Sequence, residues 1–218
     1  MNPPAPFTPA TPATPATRAT KPTDVLDFWL GDGLAQGWPT QDMNKRWFQG
    51  SAALDQDIKT RFGKDLAQAM SGGLKDWQSD AHSRLALIIL LDQFSRNVFR
   101  GTAQAFAGDA RAQQLTQQAL AAHEDLQLPW VARAFLYMPL MHAEDAALQQ
   151  ESVDCFCRLL ADVSAPIKPR IQGNLKFARE HQAMIARFGR FPYRNAVLHR
   201  ASTPEETEFL ANGPRYGQ

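Results

Sequence analysis

The sequence predicts an all-α protein, on three observations. Apolar residues recur at the spacing of a helix face, as at Leu54, Ile58 and Phe62. No stretch alternates apolar and polar residues with the two-residue period of a strand. Glycine and proline divide the chain into periodic segments with short connections, and such segments pack as antiparallel helix pairs. We therefore expect roughly nine or ten helices.

The first 23 residues are predicted to form a disordered tail. Residues 2–23 are rich in proline, threonine and alanine, with a short Thr-Pro-Ala repeat. Proline disfavours helix and sheet alike, and the segment has little apolar surface to bury. A single helical domain is expected over residues 24–218. Its first helix should begin at Thr23 or Asp24, because either residue can cap it.

The helices that follow are delimited by the residues that begin and end them. The predicted segments are 24–30, 41–70 with a break at Gly50-Ser51, 85–100, 112–122, 129–145, 148–163, 166–188 and 204–210. Gly101 ends the helix before it, and Gly189 suits a left-handed C-cap. Pro139 removes one backbone donor and is expected to kink its helix. Thr203 and Glu206 form a capping box that opens the last helix.

The stretch Leu85–Arg100 is the most informative part of the chain. Its first seven residues, Leu85–Leu91, are all apolar, which indicates a helix surrounded by protein. The polar residues that follow fall within about 140° of arc, namely Asp92, Gln93, Arg96, Asn97 and Arg100. Asp92 and Arg96 could simply form an i,i+4 ion pair. Alternatively, the arginines and Asn97 could line a pocket for a carboxylate or phosphate, which the fork of arginine donors matches.

A second group of candidate residues follows Gly189. No acidic residue occurs between Glu180 and Glu205, whereas the same stretch contains Arg187, Arg190, Arg194 and Arg200. Arg190, Arg194 and Asn195 lie in a predicted loop, where binding residues concentrate. They could cap helix ends and pair with carboxylates elsewhere in the chain. They could also form an anion-binding corner together with Arg96 and Arg100.

A third group, His142 and Glu144, comes just after the Pro139 kink. Two residues apart on a helix, these side chains point about 200° away from each other, which does not suit a metal site. A cap at the start of the next helix, formed by Glu144 or Asp145, is the better interpretation. His181 lies on the apolar face of its helix and is expected to be a core histidine. Trp29 and Trp47 could form the wall of a pocket, although packing is the more common role of such residues.

Composition excludes several classes of function. A net charge of +1 gives no reason to expect a nucleic-acid partner. The longest apolar run has seven residues, whereas a membrane span needs about 20, and the N-terminus has no signal-peptide pattern. Cys155 and Cys157 are expected to be free thiols in a reducing compartment, which predicts a cytoplasmic protein. No metal or cofactor motif is evident, and a homo-oligomer is possible but not indicated.

Five segments, in this order and spacing, resemble the bacterial DUF924 family, a "domain of unknown function". They are FWLG (28–31), RWF (46–48), LALIILLDQFSRNVFRG (85–101), FLYMPLMHAED (135–145) and RFGRFPYRNAVLHRASTPEETEFL (187–210). The resemblance covers Asp24 to about Leu210. It implies a tetratricopeptide-like, right-handed helical array, and it implies no particular biochemical activity.

We expect a binding module with an arginine-lined groove for a small anionic molecule or an acidic or C-terminal peptide. One alternative is a metal-free enzyme of hydrolase or lyase type, with Asp92 or His142 as the base. Another is a scaffold without a ligand site. The candidate ligand-binding residues are Asp92, Gln93, Arg96, Asn97, Arg100, His142, Glu144, Arg190, Arg194 and Asn195. The site hypotheses require these three segments to meet at one cavity.

Overall fold

The computed structural model describes residues 19–212, and all regular secondary structure within them is helical. The α-helices of this range are α1 (Pro22–Leu30), α2 (Gly33–Gln36), α3 (Ala52–Met70), α4 (Ala81–Ile89), α5 (Ser95–Val98), α6 (Asp109–Ala121), α7 (Trp130–Met141), α8 (Ala146–Asp162), α9 (Lys168–Phe188) and α10 (Pro204–Asn212). The predicted all-α class is confirmed. None of these helices combines the length and apolarity that a bilayer span requires.

The first helix starts slightly earlier than predicted. It begins at Pro22, where the missing N–H costs nothing because the first turn has no partner for it. Asp24 acts from the third helical position, and its carboxylate accepts the Lys21 backbone N–H at 2.7 Å. The hydroxyl of Thr20 donates to Asp65 of α3 at 2.7 Å. Most of the predicted disordered tail, residues 1–18, lies outside the described residues.

A central helix carries the core of the fold. We use this name for α4, the π-helical turn Leu90–Phe94 and α5 together. Every residue of Leu85–Leu91 is fully buried, as the apolar run predicts. The central helix packs against α1, α3, α6 and α7, which surround it. Several polar side chains of its second half line the space that remains between these neighbouring helices.

The π turn in the central helix was not visible in the sequence. The Ser95 backbone N–H bonds to the Leu90 carbonyl, five residues back, and the Ser95 hydroxyl donates to the Leu91 carbonyl at 2.6 Å. The extra residue in this turn shifts the phase of all side chains after it. A second π turn covers Lys45–Gln49. Such turns are uncommon and frequently occur at functional sites.

In the C-terminal half, α7, α8 and α9 pack on one another in chain order. α7 contains Pro139 and is buried along nearly its whole length. α9 ends at Gly189, which has a φ of 71° and caps the helix in the left-handed conformation, as predicted. The capping box of α10 is also confirmed, because the Thr203 backbone N–H donates to Glu206 at 2.7 Å and the Glu206 N–H to the Thr203 hydroxyl at 3.1 Å.

Candidate functional site

A cavity of about 670 Å³ lies between the central helix, α7, α9 and the π turn Lys45–Gln49. Its volume is in the range of pockets that bind small molecules. Its apolar lining is Trp38, Trp47, Phe48, Gly50, Ala134, Phe135, Met138, Met141, Pro169, Gly173 and Phe177. Its polar lining is Asn44, Gln93, Arg96, Asn97, Arg100, His142, Arg170, Asn174 and His181. Five residues of the sequence-predicted site therefore line one cavity: Gln93, Arg96, Asn97, Arg100 and His142.

The aromatic residues form one wall and the mouth of the cavity. The ring centroids of Trp38 and Trp47 are 6.0 Å apart, and those of Trp47 and Phe135 are 5.0 Å apart. The Trp47 indole N–H donates to the Trp29 carbonyl at 2.8 Å, which fixes the orientation of its ring. Phe48 is 57% exposed and Phe177 is 49% exposed. Large apolar side chains exposed at the edge of a cavity are suited to contact an apolar ligand.

Asp92 lies behind the cavity and holds His142. Asp92 is only 1% exposed, and its Oδ1 is 2.7 Å from the His142 Nδ1 and 3.1 Å from the Arg96 Nη1. Its Oδ2 accepts the Gln93 side-chain amide at 2.5 Å. Burial alone would raise the pKa of Asp92, but the charge of Arg96 and the hydrogen bonds from His142 and Gln93 outweigh it and hold that pKa well below its usual range. Asp92 is therefore a carboxylate at neutral pH.

An ionised Asp92 accepts the proton on the His142 Nδ1, so the imidazole directs its Nε2 away from the carboxylate. This Nε2 forms no hydrogen bond to any part of the chain within residues 19–212. His142 directly follows α7, and the segment after it is fixed by the Gln149 amide, which donates to the Met141 carbonyl at 2.6 Å and the Ala143 carbonyl at 2.8 Å. The histidine thus presents one unsatisfied ring nitrogen at the cavity.

Arg96 is engaged by the protein itself. Its Nη1 donates to the Asp92 backbone carbonyl at 2.6 Å and lies 3.0 Å from the Asp109 Oδ1, while its Nη2 donates to the Asp109 Oδ2 at 3.1 Å. The i,i+4 pair with Asp92 was anticipated from the sequence. Asp109, at the start of α6, was not. With two carboxylates around it, this guanidinium contributes little net positive charge to the cavity.

Arg100 and Asn97 share a third carboxylate, Asp55 of α3. The Asn97 amide donates to the Asp55 Oδ1 at 2.8 Å, and the Arg100 Nε lies 3.0 Å from the Asp55 Oδ2. Sequence reasoning missed Asp55 because it is more than forty residues away on another helix. Arg100 therefore lines the cavity as one half of an ion pair.

Three of the remaining predicted residues, Arg190, Arg194 and Asn195, belong to the C-terminal clasp, our name for residues 190–206. Arg190 makes a two-point contact with Glu206, at 2.6 and 2.8 Å. The Asn195 amide donates to the same Glu206 at 3.2 Å. The hydrogen bond from Arg190 is the main cause that lowers the pKa of Glu206 to about 2. Arg190 and Asn195 therefore stabilise the clasp and do not line the cavity.

Glu144 and Arg194 attach this clasp to the rest of the protein. Glu144 accepts the Phe191 backbone N–H at 2.8 Å and is contacted by Arg200 through two nitrogens, at 2.6 and 2.9 Å. Arg194 is buried, lies 3.4 Å from Asp109 and donates to the His142 carbonyl at 3.1 Å. The three segments singled out in the sequence do meet, but Glu144 and Arg194 make the contact by internal pairing. An anion-binding corner built from Arg96, Arg100, Arg190 and Arg194 is not present.

The face of α9 toward the cavity was missed in the sequence, and His181 was expected to be a core histidine. Arg170, Asn174, Phe177 and His181 recur every three or four residues and share this face. The His181 Nδ1 is 2.8 Å from the Phe177 carbonyl. Burial is the main cause that lowers the pKa of His181 to about 3, so this histidine is neutral. The repeat was a detectable signal, although it does not by itself distinguish a cavity from ordinary packing.

Gly173 is a further unexpected member of this face. A glycine inside a helix costs about 0.5–1 kcal/mol relative to alanine. A β-carbon built on Gly173 would lie in open space, with no packing partner within 4 Å. Packing therefore gives no reason for a glycine at this position, whereas the space that it leaves belongs to the cavity.

The comparisons with known proteins identify the family. A sequence model of a family described as bacterial protein of unknown function, DUF924, matches residues 25–214. This chain belongs to the DUF924 family. The DUF924 chain is also similar to a solved structure from Agrobacterium tumefaciens, described as the protein of unknown function ATU0120. The two are 36% identical with a TM-score of 0.72, over 88% of this chain and 97% of that one. No curated protein matches the sequence.

Proposed function

We propose that this DUF924 protein binds a small organic molecule in the cavity. The observation that carries the proposal is His142, which Asp92 orients so that its second ring nitrogen meets a cavity of about 670 Å³. A polar group of the ligand would bond to this nitrogen, with the amides of Gln93 and Asn97 nearby in the lining. An apolar body would rest on the aromatic wall. Pockets of this kind combine an apolar lining with a few placed polar groups.

Local irregularities around the cavity support a binding function. The two π turns contribute Trp47, Phe48 and Gln93 to the lining, and α7 contains Pro139 three residues before His142. Each feature departs from the most stable helix that the chain could form. Natural proteins retain such costs mainly at functional sites. These irregular features and Gly173 all lie around the cavity.

The sequence-based hypothesis of a binding module is retained in a narrower form. Four arginines gripping one strongly anionic ligand would require unpaired guanidinium groups. Arg96, Arg100, Arg190 and Arg194 all contact carboxylates of the protein. The support is therefore for a small molecule with an apolar body, and not for a phosphate-rich ligand or a peptide with many acidic residues.

Ligand-observed NMR with a library of small aromatic and aliphatic acids, amides and alcohols tests this proposal. Gly173→Leu should fill part of the cavity and abolish binding without unfolding α9, because leucine favours the helix and open space surrounds the site. Gly63→Leu is the matched control, since Gly63 is also inside a helix and a β-carbon there would meet only Lys59, at 3.9 Å. Binding that is equal in both variants, or no binder at millimolar concentrations, would contradict the proposal.

A second candidate function, general-base catalysis, is favoured by the Asp92–His142 pair alone. A carboxylate that orients an imidazole, whose other nitrogen faces substrate, is the arrangement of many catalytic bases. The His142 Nε2 would take a proton from a bound water or from the ligand. If so, a binder found by NMR should be converted by the wild-type protein and should remain intact with His142→Gln. His82→Gln, which changes an exposed histidine, provides the control.

A further inference from the structure

We infer that the ligand is a monocarboxylate and that Arg170 binds its carboxylate group. The inference rests on the proposed function and specifies the ligand class of the same cavity. The first observation is the charge of the lining, which contains three arginines and no aspartate or glutamate among the residues that the structure describes. A cavity of this composition disfavours organic cations and attracts an anion.

Neutralisation of the lining arginines is unequal. Arg96 is paired with Asp92 and Asp109, and Arg100 with Asp55. Arg170 has no ion pair and no side-chain hydrogen bond within residues 19–212. Among the three lining arginines, Arg170 is therefore the one whose charge no carboxylate within residues 19–212 neutralises. A single unpaired guanidinium matches a single negative charge.

The surroundings of Arg170 suit a carboxylate. The guanidinium carbon of Arg170 lies 5.8 Å from the centroid of the Trp38 ring, which is within the distance of a cation–π contact. Such a contact leaves the edge N–H groups available, and their fork matches the two oxygens of a carboxylate. Asn174, one turn further along α9, adds an amide on the same face. Trp38 and Asn174 thus complete a recognition site around Arg170.

Arg170 and His142 are carried by different parts of the cavity. Arg170 lies in the first turn of α9, whereas His142 follows the last turn of α7, and the apolar side chains of Met138 and Phe177 belong to the lining as well. The best ligand would therefore have a carboxylate for Arg170, an apolar body, and a second polar group for His142. A polyphosphate would bring charges that the lining does not match.

The inference is tested with two pairs of probes. Each pair consists of a carboxylate and the amide of nearly the same shape, so that the two members differ mainly in charge. Phenylacetate and phenylacetamide form one pair, and hexanoate and hexanamide form the other. Titrations near neutral pH, followed by ligand-observed NMR, should show that the wild-type protein binds each carboxylate at least about tenfold more tightly than its amide, because a charge-assisted pair is stronger than a neutral one. Arg170→Gln should remove this preference and leave amide binding nearly unchanged.

Two further variants make the outcome decisive. Arg179→Gln removes a cation from an exposed position on the same helix, outside the cavity lining, and should preserve the preference. Arg170→Lys keeps the charge without the planar fork and should lose most of the preference for carboxylate over amide. Equal affinity for carboxylate and amide would overturn the inference and leave the proposed function intact. The inference would also be overturned if Arg179→Gln reduced the preference for carboxylate as much as Arg170→Gln does. Failure of all four probes to bind would overturn the inference, and failure of the wider library as well would overturn the proposed function.

Discussion

The Nδ1 atom of His142 lies 2.7 Å from the Oδ1 atom of Asp92, a residue fifty positions earlier in the chain. This contact joins the π turn of the central helix to the end of α7. Asp92 also contacts Arg96, which is bridged through Asp109 to Arg194 of the C-terminal clasp. The buried carboxylate therefore has a structural role in addition to the orientation of His142.

Replacement of this carboxylate should strongly destabilise the protein. Asp92→Asn removes one of the two carboxylate partners of the largely buried Arg96, and removing a partner from a buried ion pair costs up to about 3–5 kcal/mol. Asp55→Asn, which breaks the more exposed pair with Arg100, should cost about 1 kcal/mol or less. Urea unfolding of both variants measures the two values. Equal costs would show that Asp92 is not the centre of the buried network.

Acidification should destabilise the protein through His181. Its pKa is about 3 in the folded state, against 6.5 for an ordinary histidine, so below pH 6.5 the unfolded chain binds the additional proton. The free energy of unfolding should then fall by about 1.4 kcal/mol per pH unit, or about 2 kcal/mol between pH 6.5 and 5. Asp92 and Glu206 have lowered pKa values, and the stability that they add is lost only at more acidic pH.

His181→Gln separates this effect from other titrations. The glutamine cannot become charged, and the slope between pH 6.5 and 5 should become nearly flat. His82→Gln removes an exposed histidine instead and should leave the slope as it is in the wild-type protein. The measurement is urea unfolding at a series of pH values. A slope that persists in His181→Gln would assign the titration to another group.

Much of the fold follows from local patterns. The unbroken apolar run of Leu85–Leu91 predicted a helix buried on all sides, and Thr203-Pro204-Glu205-Glu206 predicted a cap that is present. Gly189 adopts the expected left-handed conformation. These features depend on contacts within one or two turns of helix, and the sequence contains all the information that they require.

The site was predictable only in part, because a pattern indicates the face of a helix and not its neighbour. Gln93 and His142 were identified as site residues, yet Asp55 and Asp109, which neutralise the arginines, come from distant helices. The π turn also shifts side chains relative to a regular helix of 100° per residue. For Arg170, the absence of an ion pair within residues 19–212, on which the proposed role rests, is a property of the tertiary structure.

Two glycines should respond in opposite ways to the same substitution. Gly173→Ala adds a methyl group in open space within a helix and should raise the free energy of unfolding by about 0.5–1 kcal/mol. Gly108→Ala would place its β-carbon 2.5 Å from the Leu91 carbonyl of the π turn, where backbone has to move, at a cost of about 1–3 kcal/mol. Thermal and urea unfolding measure both changes. A destabilised Gly173→Ala would contradict the open space that we assign to the cavity.

Arg194 should tolerate lysine poorly, because its role depends on the shape of the guanidinium. It contacts Asp109 and the His142 carbonyl through different nitrogens, and it lies 4.6 Å from the ring centroid of Phe106 and 4.5 Å from that of Phe191. A lysine keeps the charge, but it has no planar group to stack on the rings and only one nitrogen in place of the two that reach separate acceptors. Arg194→Lys should therefore cost about 2 kcal/mol, the loss of a charged hydrogen bond in a buried place.

Arg187→Lys is the control for this prediction. Arg187 pairs with Glu205 at 2.8 Å, but their side chains are 53% and 58% exposed, and such pairs contribute about 0–1 kcal/mol. If Arg194→Lys proves as mild as Arg187→Lys, the clasp is not held through Arg194. A stable Arg194→Lys variant that lost ligand binding would instead place Arg194 in the binding site. The pairing with Asp109 and the His142 carbonyl leads us to expect a cost in stability, with the cavity lining itself unchanged.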